Sequence, residues 1–128
     1  MASIVIVDDS RSVRIFVEKA LADTGHRVRS AGSGPEALRL LEAEPADLLL
    51  TDIYMPDGDG LELMIALRRR THPPAVIAMS SNVVGPKSML GIAQKLGAKL
   101  ILPKPFKPEE LRAAIDQALA ERATAPVS

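Results

Sequence analysis

Five short apolar runs, each separated from the next by a helical pattern, constrain this chain more than any other feature. The runs are SIVIV (3–7), RVRSA (27–31), DLLLT (47–51), AVIAMS (75–80) and KLILP (99–103). Four of them are apolar at both odd and even positions, as suits parallel strands covered by helices on both faces; the second alternates and reads as an edge. Val13, Phe16, Val17, Ala20 and Leu21 fall at i, i+3, i+4, i+7 and i+8, and Leu111, Ala114, Ile115, Ala118 and Leu119 repeat that spacing, so each of these helices carries one apolar stripe. Ser33 and Glu36 form a capping box around Pro35, while Pro86 and Pro108 stand where first-turn prolines cost no hydrogen bond. Arg68, Arg69 and Arg70 close a third helix ahead of His72, Pro73 and Pro74, where cations complement the helix dipole. Five βα units in strict alternation predict an α/β fold, a doubly wound five-stranded parallel sheet with right-handed crossovers. At 128 residues there is room for one domain. The reading places it over 1–122, with ATAPVS (123–128) as a frayed tail.

Composition removes several functional classes. Sixteen basic residues balance sixteen acidic ones, which leaves no net field to draw nucleic acid or an anionic membrane. The chain has no cysteine, hence no disulfide framework and no thiolate metal site. Its apolar start meets two acids by residue 9, unlike a secretory leader, and no run approaches the roughly 18 apolar residues that span a bilayer. The expected address is the cytoplasm, without membrane insertion.

In such a sheet, ligands bind beyond the carboxyl ends of the strands. Asp8 and Asp9 follow the first strand, Asp52 ends the third, Ser80 the fourth, and Lys104 follows the fifth. Three acids brought together repel one another and remain ionised near neutral pH only with a cation among them. Hard oxygen ligands at this density suit Mg²⁺, which keeps several waters and takes one or two carboxylates plus a phosphoryl oxygen. A carboxylate so placed can attack a phosphoryl donor and hold an aspartyl phosphate, with Lys104 and Ser80 meeting the other phosphoryl oxygens.

The pieces VDDS (7–10), TDIYMPDGDGLEL (51–63), MSS (79–81) and LPKPF (102–106), in this order and spacing, resemble the receiver domains of two-component response regulators, the CheY-like family. The resemblance covers residues 3 to about 120 and implies a flavodoxin-like (βα)5 sheet of strand order 2-1-3-4-5. It implies Asp52 as phosphoacceptor, Asp9 helped by Asp8 as Mg²⁺ ligands together with the Tyr54 backbone carbonyl, Ser80 as switch hydroxyl, and Lys104 as phosphoryl-binding lysine before a cis Pro105. It further implies a phosphohistidine donor, either a histidine kinase or a phosphotransfer protein, and a target protein on the face of the fourth helix, fifth strand and fifth helix. The domain would be a monomer or weak dimer. It would be no enzyme, but a signalling domain that assists its own phosphorylation and dephosphorylation. Two departures stand out: Ile101 replaces the aromatic usual three residues before the lysine, and NVVGP (82–86) lengthens the loop into the fourth helix.

Competing readings are weaker. GSGPEA (32–37) fits G-x-G-x-x-A with Asp52 twenty residues on, as in dinucleotide-binding folds, but follows the second strand instead of the first. An aspartyl-phosphate phosphatase would need a general acid two residues past the nucleophile, where Tyr54 stands. DGDGLE (57–62) departs from a calcium loop at Leu61, Glu62 and Arg68. The acids after the first strand could instead cap a helix. His26 and His72 sit at element boundaries and read as surface residues. The segment after residue 122 holds no output domain, so the expected form is a stand-alone receiver. The alternative is a receiver excised from a larger regulator or hybrid kinase.

Overall fold

Strands apolar at every position need cover on both faces, and the central strands obtain it. In β1 (Ser3–Val7), β3 (Leu48–Asp52) and β4 (Ala75–Ser80) every residue from Ile4 onward is buried. The computed structural model of the chain describes residues 2–53, 60–67, 69–70, 73–80 and 97–124. The expected fourth helix around Pro86, the loop it follows, and Tyr54 lie outside the described residues. With β2 (Arg27–Ala31) and β5 (Ala98–Pro103), the strands form one parallel sheet of order β2-β1-β3-β4-β5. This is the flavodoxin-like, CheY-like order expected. The direction of winding reverses between β1 and β3, so the crevice of the doubly wound sheet opens at the carboxyl ends of those two strands.

Four helices are present among the described residues: α1 (Arg11–Ala20), α2 (Gly34–Ala43), α3 (Gly60–Leu67) and a C-terminal helix (Pro108–Thr124). Val17 and Leu21 from the first helical stripe, and Leu111, Ile115 and Ala118 from the last, pack on Ile4, Ile6, Leu48, Leu50, Ile77 and Met79. On the opposite face Ala37 and Leu41 of α2, with Leu63, Met64 and Leu67 of α3, pack on Val5, Val7, Leu49, Val76 and Ala78. Period-2 strands therefore deal alternate residues to two separate cores.

Local signals explain the helix ends. Ser10 caps α1, its Oγ accepting from Val13 N–H at 3.4 Å. Ser33 Oγ likewise accepts from Glu36 N–H at 3.3 Å, and the Glu36 carboxylate reaches back to the N–H of Gly32 at 3.1 Å, one residue earlier than an ordinary capping box. Pro108 opens the C-terminal helix as expected, and the Glu110 carboxylate accepts from Lys107 N–H at 2.9 Å. That helix runs to Thr124, beyond residue 122.

Two strands differ from the sequence reading. The third is shifted by one residue because Asp47 is used ahead of it, where its Oδ2 accepts from Ser3 N–H at 2.8 Å. The fifth is also an edge: the pairing of β4 with β5 skips Lys99, which bulges outward, while Leu100 and Ile101 remain half-buried. Gly97 enters β5 at φ +111°, a backbone region that side chains avoid although nothing crowds the position.

The cores set the stability. Leu50 is fully buried in the central strand, whereas Ile65 of α3 is 46% exposed. Leu50→Ala is expected to cost about 2–5 kcal/mol and Ile65→Ala within about 0.5 kcal/mol, as read by equilibrium urea unfolding.

Candidate functional site

The carboxyl ends of β1, β3, β4 and β5 bring together Asp8, Asp9, Asp52, Ser80 and Lys104. Asp52 is the last residue of β3, and the register that pairs it with Met79 of β4 sets Ser80 one residue beyond on the neighbouring strand. Backbone bonds pin these ends: Ile53 N–H donates to the Met79 carbonyl at 3.2 Å and Lys104 N–H to the Ser80 carbonyl at 3.0 Å. The Lys104–Pro105 peptide is cis, as the resemblance implied. Tyr54, whose carbonyl was the expected further metal ligand, lies outside the described residues.

Asp8 is completely buried, Asp52 is 8% exposed and Ser80 1%. Asp9 is exposed at the rim. Carboxylate oxygens of Asp8, Asp9 and Asp52 lie within 4.8 Å of one another. The cation that such crowding demands is supplied by the protein itself: Lys104 Nζ donates to Asp8 Oδ2 at 2.7 Å and to Asp52 Oδ2 at 3.0 Å. Burial lowers the Lys104 pKa, but the two hydrogen bonds and the charges of Asp52 and Asp8 outweigh it, so the pKa is raised above its ordinary value. The lysine stays cationic at physiological pH.

The acids are not used as helix caps. Ser10 takes that place, and Asp8 instead accepts from Ser10 N–H through Oδ1 at 2.8 Å, closing the turn from β1 into α1. The oxygen set fits a small hard cation: three carboxylates from two strand ends, with one exposed at the rim to admit it.

Two elements of the site escaped the sequence reading. Arg14, half-buried on α1, donates from Nη1 to the Asp8 carbonyl at 2.5 Å. Its place five residues after Asp9 was visible, but nothing in a helical pattern says that a surface arginine turns back to the strand end. Phe16, assigned to the buried stripe of α1, is instead 37% exposed and meets Phe106 edge-on at a centroid distance of 5.7 Å. The two rings, with Ser12, Val13 and Pro105, line an apolar groove of about 400 Å³ that ends on Lys104. His26 accepts from Ala2 N–H through Nδ1 at 3.1 Å, away from the acids, whereas His72 lies outside the described residues.

The response regulator receiver domain family matches residues 4–116. The chain is 34% identical over 118 residues to the DNA-binding transcriptional regulator NtrC of Azospirillum brasilense, covering 92% of this chain and 24% of that one. It thus spans about a quarter of that relative's length. It is 30% identical over 114 residues to a probable chemotaxis protein CheY of Rhizobium etli, covering 88% of each. Among solved structures it resembles the chemotaxis protein CheY4 of Vibrio cholerae, with a TM-score of 0.84 at 30% identity over 92% of this chain and 98% of that one. A CheY-like receiver domain protein from Methanospirillum hungatei gives a TM-score of 0.86 at 27% identity, over 96% and 97% of the two chains. With sheet order, acidic cluster and family match in agreement, the chain belongs to the receiver domains of two-component response regulators, CheY-like signalling domains.

Proposed function

We propose that Asp52 accepts a phosphoryl group from a phosphohistidine donor, with Mg²⁺ held by Asp8, Asp9 and Asp52, and that the phosphorylated domain signals by binding a target protein. The observation that carries this reading is the joint placement of Lys104 Nζ against Asp8 and Asp52, at 2.7 and 3.0 Å, beside a rim carboxylate. Mg²⁺, when bound, neutralises charge building on the transferring phosphoryl group. An Asp52 carboxylate oxygen attacks phosphorus, the new O–P bond forms as the donor's N–P bond breaks, and the imidazole leaves with the bonding pair. Lys104 then exchanges a carboxylate partner for a phosphoryl oxygen, remaining charged throughout. The Ser80 hydroxyl, at the adjoining strand end, donates to another. The buried positions of Asp8, Asp52 and Ser80 support transfer from a closely docked donor in preference to open hydrolysis.

A protein donor, a histidine kinase or phosphotransfer protein, is supported by the apolar groove next to Lys104, where Phe16 offers a ring to a partner. The domain is read as residues 1–122 acting alone, a reading motivated by a CheY relative of which 88% is covered. The NtrC relative motivates the alternative, a receiver that is one module of a longer regulator. Readout is assigned to the face of β5, the C-terminal helix and the expected fourth helix. Ile101 packs, half-buried, against the core beside Val76 and Ala78, and has no polar handle with which to report phosphorylation. The switch is therefore taken to run through Ser80 and the segment following it, independent of an aromatic ring.

Incubation with Mg²⁺ and a small acyl phosphate should add one phosphoryl mass to the intact chain and none to Asp52→Asn, which should remain folded because crowded anions are relieved. Full labelling of Asp52→Asn would sink the assignment. Because the folded-state pKa of Lys104 is raised, its contribution to stability is complete below the ordinary value of 10.5 and is lost as pH climbs through the higher folded value. The stability gap between wild type and Lys104→Met, followed by urea unfolding without metal, should be flat from neutral pH to about pH 10 and narrow above it. Added Mg²⁺ should narrow the gap at neutral pH as well. Ser80→Ala should still take phosphate yet lose most of the coupling, whereas Ile101→Ala should cost about 2 kcal/mol of packing and leave coupling intact. Hydrogen exchange with and without beryllofluoride reads this coupling. A response confined to Asp52 and its neighbours in the wild type, with 80–107 unchanged, would place the readout elsewhere.

A further inference from the structure

Asp8 is held at every polar atom. Its N–H donates to the Ala31 carbonyl at 3.1 Å, Oδ1 accepts from Ser10 N–H at 2.8 Å, and Oδ2 accepts from Lys104 Nζ at 2.7 Å. Sheet, turn and site account for these three. The fourth bond, from Arg14 Nη1 to the Asp8 carbonyl at 2.5 Å, comes from a charged side chain on α1. The guanidinium lies over the turn from β2 into α2, where a Cβ at Gly32 would meet Arg14 Nη1 at 3.4 Å and Glu36 Oε2 at 3.7 Å, both ordinary contact distances.

The carbonyl that Arg14 grips belongs to the peptide joining Asp8 to Asp9. A peptide is planar, so fixing its oxygen fixes the direction in which the chain leaves toward Asp9. Asp9 needs that support, since it is exposed and no hydrogen bond or ion pair holds its carboxylate among the described residues. We propose that Arg14 is a positioning residue: by holding the Asp8–Asp9 peptide it aims the Asp9 carboxylate at Asp8 and Asp52 and pre-forms the cation site. This rests on the reading of the three acids as a Mg²⁺ site. Outer partners that orient metal ligands typically change affinity by about 10–100-fold when removed.

The test uses Mg²⁺ alone as titrant, followed by amide NMR shifts, and hydrogen exchange of the Ser10 amide in metal-free protein. Arg14→Met keeps the aliphatic stem and removes the donor; it should weaken Mg²⁺ binding about tenfold or more and speed Ser10 exchange by a similar factor. Arg14→Lys, which restores a charged donor, should recover most of both. Arg112→Met is the control, because Arg112 donates to the Ala20 carbonyl at 3.3 Å, at the far end of the same helix, and should change neither. Should Arg14→Met fail to fold, Arg14→Leu, which also lacks a donor, gives the same comparison. Wild-type affinity and exchange in the Arg14 variant would overturn the proposal, as would an equal loss of affinity in Arg112→Met. Faster Ser10 exchange in Arg14→Met, in a protein whose wild type ignores Mg²⁺, would uphold the positioning and overturn the metal reading.

Discussion

The ammonium of Lys104 stands 2.7 Å from one carboxylate and 3.0 Å from another, and the fold has taken both of those acids out of water. Carboxylates this close cannot all stay charged without a neighbour of opposite sign. The lysine is that neighbour, and it ties the ends of β1, β3 and β5 across most of the sequence. The sheet order follows the same need, since only a reversal between β1 and β3 sets their carboxyl ends around one crevice. Removing the lysine would leave two buried carboxylates without a counter-charge, whereas removing Asp52 leaves the ammonium paired with Asp8.

Much of this was legible in the sequence because it was written in periodicities. Runs apolar on both faces specified a sheet covered twice, and SIVIV and the LLLT of the third run are buried along almost their full length. Ser33 and Pro108 marked helix starts through local hydrogen-bonding chemistry that needs no knowledge of the fold. The assembly of Asp8, Asp9, Asp52 and Lys104 followed from one topological rule applied to strand ends. What stayed hidden depends on where a long side chain turns. Arg14 and Phe16 share helix α1, yet the first folds back on a backbone oxygen and the second leans out to Phe106. A 3.6-residue period assigns a side chain to a face and says nothing of such choices. β5 misled for a related reason: KLILP reads as apolar throughout, but the bulge at Lys99 and its place at the sheet edge leave two of its residues half-buried.

The other sheet edge carries a different consequence. A parallel strand at the rim shows a row of unpaired backbone groups to any passing strand, and β2 sets the exposed charge of Arg27 there, while Arg29 is largely buried against the end of α2. Arg29 does more than add charge: Nη1 donates to the Leu40 carbonyl at 2.8 Å and Nη2 to the Glu44 carbonyl at 2.7 Å, closing the last turn of α2 and the residue after it. Arg27 reaches the Glu44 carboxylate at 2.7 Å. The helix end and the edge strand are thus fastened by the same side chains. Loosening of the edge strand and fraying of the helix terminus thereby become one event, because the same arginines span both.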